Sequence, residues 1–139
     1  MKTYVVGTDG SDTATRATVR AAELAAATGA TVHVVCAYER RGYETMRSGG
    51  DELSFSGLNE AEDTANAQAA TFRSQGISAT FAAIADKPAD ALIAEAERLE
   101  ADLIVIGNRR MQGLGRLLGS VANQVAHNAP CDVLVVKTF

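Results

Sequence analysis

The sequence predicts an α/β fold, a doubly wound parallel sheet of five strands with helices on both faces. Two observations predict it. Five short apolar and β-branched runs alternate with four stretches of helical period, and the runs are apolar nearly throughout, which is the pattern of strands covered on both faces. Parallel neighbours need a crossover connection, and crossovers lying on both faces of the sheet bury such strands.

Thr3 to Thr8 is the first run, followed by Gly10, Ser11 and Asp12 as turn and cap residues. A strand ending at or just before Asp9 therefore passes directly into a helix. From Asp12 to about Thr28, Ala17, Ala21, Leu24 and Ala25 recur at helical spacing, and Gly29 closes the helix. Thr31 to Ala37 (TVHVVCA) is the second strand. Tyr38 to Ser56 mixes charge, glycine and isolated aromatics without a sustained period and reads as a long surface excursion. Leu58, Ala61, Ala65, Ala69 and Phe72 mark one face of a second helix that ends at Gly76, and Ile77 to Ala85 is the third strand.

Pro88 suits the first turn of a third helix whose buried side is Ala89, Leu92, Ile93, Ala96 and Leu99. Ala101 to Gly107 (ADLIVIG) is the fourth strand. A glycine-rich loop from Gly107 to Gly119 leads into a last helix with Val121, Val125 and Asn128 on one face, and Asp132 to Lys137 (DVLVVK) is strand five. No internal repeat is present, and residues 1–139 are expected to form a single domain with one sizeable core.

Composition bounds the function. Apolar residues make up 47% and charged residues 22%, an ordinary globular balance. A net charge of −4, with no basic stripe interleaved with aromatics, argues against nucleic acid as a partner. No stretch approaches the roughly 20 apolar residues of a membrane span, and the first apolar run is too short for a signal peptide, so no membrane is expected and the chain is placed in the cytoplasm. Cys36 and Cys131 fall in no CxxC or Cys/His spacing and are expected to be packing residues. His33, on a central strand, and His127, near a helix end, have no serine or carboxylate at a spacing that suggests a nucleophile and its base. Both are expected to be structural, and no catalytic or metal-ligating residue is assigned.

Open parallel sheets bind ligands beyond the carboxyl ends of their strands, where the strand order reverses. That rule selects Thr8, Asp9 and Gly10, then Ala37, then Ala85 and Asp86, and above all the loop after strand four. In GNRRMQGLGRLLGSV (Gly107 to Val121), glycines 107, 113, 115 and 119 let backbone N–H groups approach a ligand closely, and Ser120 and Val121 open a helix whose dipole favours anions. Arg109, Arg110 and Arg116 add charge that can grip phosphate oxygens in a bidentate fork. Asp9 could accept hydrogen bonds from a ribose or an adenine amino group or help hold a metal; the alternative is a turn residue that simply caps the next helix.

At these residues the chain resembles the universal stress protein family. VVGTDGSD, ADLIVIGN, LLGSV and APCDVLVVK follow the family's pattern in order over the whole chain. The resemblance implies strand order 3-2-1-4-5 in a Rossmann-like fold of the adenine nucleotide alpha hydrolase type, and a homodimer formed through strand five. The family's ATP-binding subgroup carries G-x2-G-x9-G-[ST] after strand four and a small residue, Thr and Asp after strand one. Carried over by position, Gly7, Thr8 and Asp9 match the stretch that contacts adenosine, Ala37 matches a small residue beside the base, and Gly107, Gly119 and Ser120 match the loop that holds ribose and phosphates. The chain departs from the pattern at Arg110, where the second glycine should stand, and the interval from Gly107 to Gly119 is one residue short. Arg110 would either block the phosphate path by its bulk or supply a compensating charge while Gly113 and Gly115 restore backbone freedom.

The function implied is that of a regulatory protein of the stress response that binds ATP, or AMP or cAMP through the same adenosine contacts, with or without Mg²⁺, without turning it over. The alternative is a nucleotide-free stress protein acting as a dimeric, chaperone-like interaction module. ATP-consuming relatives of the fold carry HxGH-like or SGGxDS-like signatures, absent here; slow hydrolysis is left open, with no identifiable general base. A phosphorelay receiver would use Asp9, Asp86 and Lys137, but lacks its acidic pair after strand one.

Overall fold

A computed structural model of the chain describes residues 2–39, 50–108 and 118–137, with side chains from 57 onward in the second segment. Its elements are β1 (Thr3–Gly7), α1 (Asp12–Thr28), β2 (Thr31–Tyr38), α2 (Gly50–Ser74), β3 (Ala79–Ala85), α3 (Pro88–Leu99), β4 (Leu103–Gly107), α4 (Ser120–Asn128) and β5 (Asp132–Val136). The strands form one parallel sheet in the order β3-β2-β1-β4-β5. Strand order and helix alternation are those expected. The order reverses at β1, which pairs with β2 on one side and β4 on the other, so the carboxyl ends of β1 and β4 diverge into a crevice.

Successive strand residues point to opposite faces and divide the core in two. Val6 and Val105 pack with α1 and α2, whereas Val5, Ile104 and Ile106 pack with α3 and α4. The helices meet the sheet largely through alanine, as at Ala17, Ala21 and Ala25 of α1, so they lie close and the strands carry most of the core volume. Phe72 of α2 is the largest fully buried side chain among the described residues. The α1 ends follow their local signals: the Ser11 hydroxyl accepts from the Ala14 N–H at 3.2 Å, and Gly29, at φ 73°, donates to Ala25 O at 2.8 Å.

Three expectations change. The Tyr38–Ser56 excursion is shorter, because β2 runs through Tyr38 and α2 begins at Gly50; residues 40–49 lie outside the described part. Asn128 is exposed and donates to Gln124 O at 3.0 Å, while Ala122 and Val125 are the buried pair of α4. On α3, Ile93 and Leu99 are half-buried, and Ala91 and Glu95 take the buried places beside Ala89, Leu92 and Ala96.

Glu95 is inside because His33 is there to meet it. His33 Nε2 lies 2.9 Å from Glu95 Oε1, and Nδ1 lies 2.6 Å from Thr80 Oγ1. Arg98 closes the network from the surface, with Nε and Nη2 donating to the two Glu95 oxygens at 2.8 and 3.0 Å. His33 is thus structural, held by a carboxylate 62 positions away. The Arg98 hydrogen bonds, aided by that from His33, outweigh desolvation and hold the Glu95 carboxyl below the usual carboxylate range. A carboxyl whose folded pKa is depressed stabilises the fold above its unfolded pKa, and that contribution disappears as the pH falls through the folded value. Glu95→Ala is therefore expected to cost about 1–3 kcal/mol at pH 7 by orphaning a buried donor. In paired urea titrations, the gap between wild type and variant should narrow as the pH drops below 4.5; an equal gap at both pH values would count against the ionised pair.

Candidate functional site

The turn after β1 builds one wall of the crevice. Thr8 N–H donates to Val35 O at 3.0 Å, continuing the β1–β2 ladder one residue past the strand, and its side chain is buried. The Thr8 hydroxyl then accepts from Gly10 N–H at 3.1 Å, and Asp9 Oδ1 accepts from Ser11 N–H at 2.9 Å. Gly10 sits at φ 81°, with Thr64 Cγ2 only 3.3 Å from where a Cβ would stand. Only a glycine makes this reversal without strain. Asp9 thus holds the turn, while the cap of α1, the alternative expected of Asp9, is made by Ser11.

The other wall is the start of α4. Asn108, directly after β4, is 1% exposed, and its Oδ1 accepts from Gly119 N–H at 2.7 Å. Gly119 is the N-cap of α4, in extended conformation, and no side chain caps the helix among the described residues. Its carbonyl accepts the first intrahelical bond, from Asn123 N–H at 2.9 Å. The N–H groups of Ser120, Val121 and Ala122 precede that bond and lack helical partners, and no acidic residue occupies the first turn. This helix end carries partial positive charge suited to an anion.

Between these walls lies a cavity of about 410 Å³. Its floor is apolar, formed by Val35, Ala37, Leu92 and Ile106 with Pro88 at the side. Gly7 keeps the floor open, since a Cβ there would stand 3.1 Å from both Leu92 methyl carbons and 3.2 Å from Ile106 Cγ2. Gly7, Thr8, Asp9, Ala37, Gly107, Gly119, Ser120 and Val121 all line this one space, as a site built from them requires. Arg109, Arg110 and Gly113 lie outside the described residues, as do Gly115 and Arg116. Ala85 and Asp86 stand apart: the Asp86 carboxylate accepts from Lys87 N–H at 2.8 Å, as a turn residue before α3.

Sequence reasoning missed Ser11, Thr13, Ala14, Val35, Pro88, Leu92, Ile106, Asn108 and Ala122 as lining residues. Asn108 stood beside Gly107 in the selected loop, so its adjacency was a usable signal. Leu92 carries no such signal, because it reads only as the core face of a crossover helix. Burial, and then the negative charge of Asp9, push the Cys36 thiol up to about 11, and burial likewise raises Cys131. Both are protonated thiols at neutral pH, in keeping with packing residues. No cluster of three or more His, Cys, Asp or Glu that could hold a metal ion occurs among the described residues.

Comparison with known proteins gives the family and supports the fold. The family model described as the Universal stress protein family matches residues 1–137. Universal stress protein Rv1636 of Mycobacterium tuberculosis is 36% identical over 149 residues, covering 99% of this chain and 97% of its own. Among solved structures, a universal stress protein in complex with cAMP is 34% identical, with a TM-score of 0.69 over 99% of this chain and 98% of that one. The universal stress protein from Archaeoglobus fulgidus in complex with dAMP is 28% identical, with a TM-score of 0.75 over 99% and 98%.

Proposed function

Since the chain belongs to the universal stress protein family, we propose that it is a regulatory protein of the stress response that binds an adenine nucleotide in the crevice between β1 and β4 and does not turn it over. The observation that carries this reading is the meeting, in one cavity, of an apolar slot with a helix N-terminus that no side chain caps among the described residues. The cavity volume falls within the usual range for small-molecule sites. Two solved relatives hold cAMP and dAMP, which supports the ligand class.

In this reading the base lies in the slot of Val35, Ala37, Leu92 and Ile106, and the ribose meets Thr8, Asp9 and Gly107. The phosphates sit against Gly119, Ser120 and Val121, with Arg109, Arg110 and Gly113 contributing from the intervening loop. ATP is the proposed ligand, with Mg²⁺ neutralising its outer phosphates, and AMP and cAMP sharing its adenosine contacts. A homodimer through β5 belongs to the same reading, supported by the open outer edge of β5, which ends the sheet with β4 as its one strand neighbour among the described residues. So does a cytoplasmic location; no helix among the described residues is long and apolar enough to cross a membrane.

Thermal unfolding of the nucleotide-stripped protein with millimolar Mg-ATP, AMP or cAMP tests the reading. A ligand at 100 times its Kd stabilises by about 2.7 kcal/mol, a shift on the order of 8 °C for a chain of this size. No shift with any of the three would refute nucleotide binding and favour the nucleotide-free interaction module.

A further inference from the structure

We propose that Asn108 is a positioning residue for the phosphate end of the site, holding the first turn of α4 by its carboxamide so that the N–H groups of that turn stay available to an anion. The inference rests on the nucleotide reading above and assigns the residue that makes the helix end usable.

A buried asparagine is costly unless its polar atoms are bonded, and Asn108 is 1% exposed. Its backbone N–H donates to Val136 O at 3.3 Å, and its Oδ1 accepts from Gly119 N–H at 2.7 Å. One residue therefore ties the carboxyl ends of β4 and β5 to the start of α4, eleven positions along the chain.

The contrast with α1 shows why the anchor falls where it does. At α1, the Ser11 hydroxyl accepts from the Ala14 N–H, so a side-chain oxygen occupies the helix end. At α4 the N-cap is glycine and supplies no such oxygen. The helix is held instead through Gly119 N–H, one residue upstream of the donors of Ser120, Val121 and Ala122, which line the cavity. The grip uses none of those donors. It also adds no charge, because a carboxamide accepts the same hydrogen bond a carboxylate would without repelling a phosphate. An aspartate at 108 would preserve the bond and oppose the ligand, which separates a role in phosphate binding from a role in folding alone.

Isothermal titration with adenosine, AMP and Mg-ATP reads this out. Asn108→Ala is expected to weaken AMP and Mg-ATP about tenfold or more, the equivalent of about one charge-assisted hydrogen bond, while adenosine affinity changes about twofold at most. Asn108→Asp is expected to weaken AMP and Mg-ATP further and to leave adenosine near its wild-type affinity; should the alanine variant not fold, the aspartate variant carries the same comparison. Equal loss for adenosine and AMP in these variants, or no loss for either, overturns the assignment while wild-type binding stands. Wild-type protein that binds none of the three overturns the nucleotide reading and this assignment together.

Discussion

Phe72→Ala is expected to lower the unfolding free energy by about 3–5 kcal/mol, a large part of the roughly 5–15 kcal/mol that holds a domain together. The cost of a core truncation depends on how well the surroundings collapse into the space. Around Phe72 much of the surroundings has little freedom to do so. The cluster it belongs to is built from Ala61, Ala65 and Ala69 on its own helix and Ala21 and Ala25 on α1, which have no rotamers with which to refill a void. The strand side includes Val6, Val32, Val34 and Val105, whose β-branched side chains are stiff about χ1, beside Tyr4 and Cys36. The lost volume therefore persists as a cavity. Urea unfolding at neutral pH measures the effect. A loss under about 1 kcal/mol would mean that α2 re-seats on the sheet and that Phe72 does not key the two together.

Gly7→Val is expected to abolish nucleotide-dependent stabilisation, with affinity falling about a hundredfold or more, equivalent to about 2.7 kcal/mol. A single Cβ at residue 7 already stands 3.1 Å from both Leu92 methyl carbons and 3.2 Å from Ile106 Cγ2. Valine adds two further methyl groups in the same direction, so Leu92 and Ile106 must give way into the slot they line. Overpacking of this kind costs about 1–3 kcal/mol of stability, which leaves a folded protein to assay. Gly7→Ala should fall between wild type and valine, because the flexible Leu92 end can yield by a few tenths of an ångström. Thermal shifts with AMP on the three proteins give the order directly. If Gly7→Val binds AMP within a few-fold of wild type, the base does not lie in this slot.

Much of this architecture is legible in the chain read as text, because the signals involved are local. The apolar runs at Thr3–Gly7, Thr31–Tyr38 and Leu103–Gly107 reflect strands covered on both faces, and Gly29 and Gly10 mark turns that only a left-handed backbone makes. Once the elements alternate, the rule that parallel sheets bind beyond their carboxyl ends selects Thr8, Asp9, Gly10, Ala37 and the loop from Gly107 to Gly119, together with Ala85 and Asp86, which stand apart from the cavity, whereas Gly7 enters only through the family resemblance.

Other features depend on contacts between distant segments, and no local period encodes them. Glu95 reads as a solvated helix position until His33, on another element, supplies the partner that makes its burial tolerable. The rotation of α4 that buries Ala122 and exposes Asn128 follows from how the helix packs on α3 and β5, and two apolar positions, Val121 and Val125, cannot resolve a shift of one residue. Leu92 and Ile106 line an open cavity only because Gly7 lacks the Cβ that would otherwise press on both. Asn108 becomes an anchor only because the fold returns the chain to it at Gly119. Periodicity and turn chemistry are properties of neighbouring residues, whereas a buried polar partner or an open slot is a property of segments that meet only after the chain has folded.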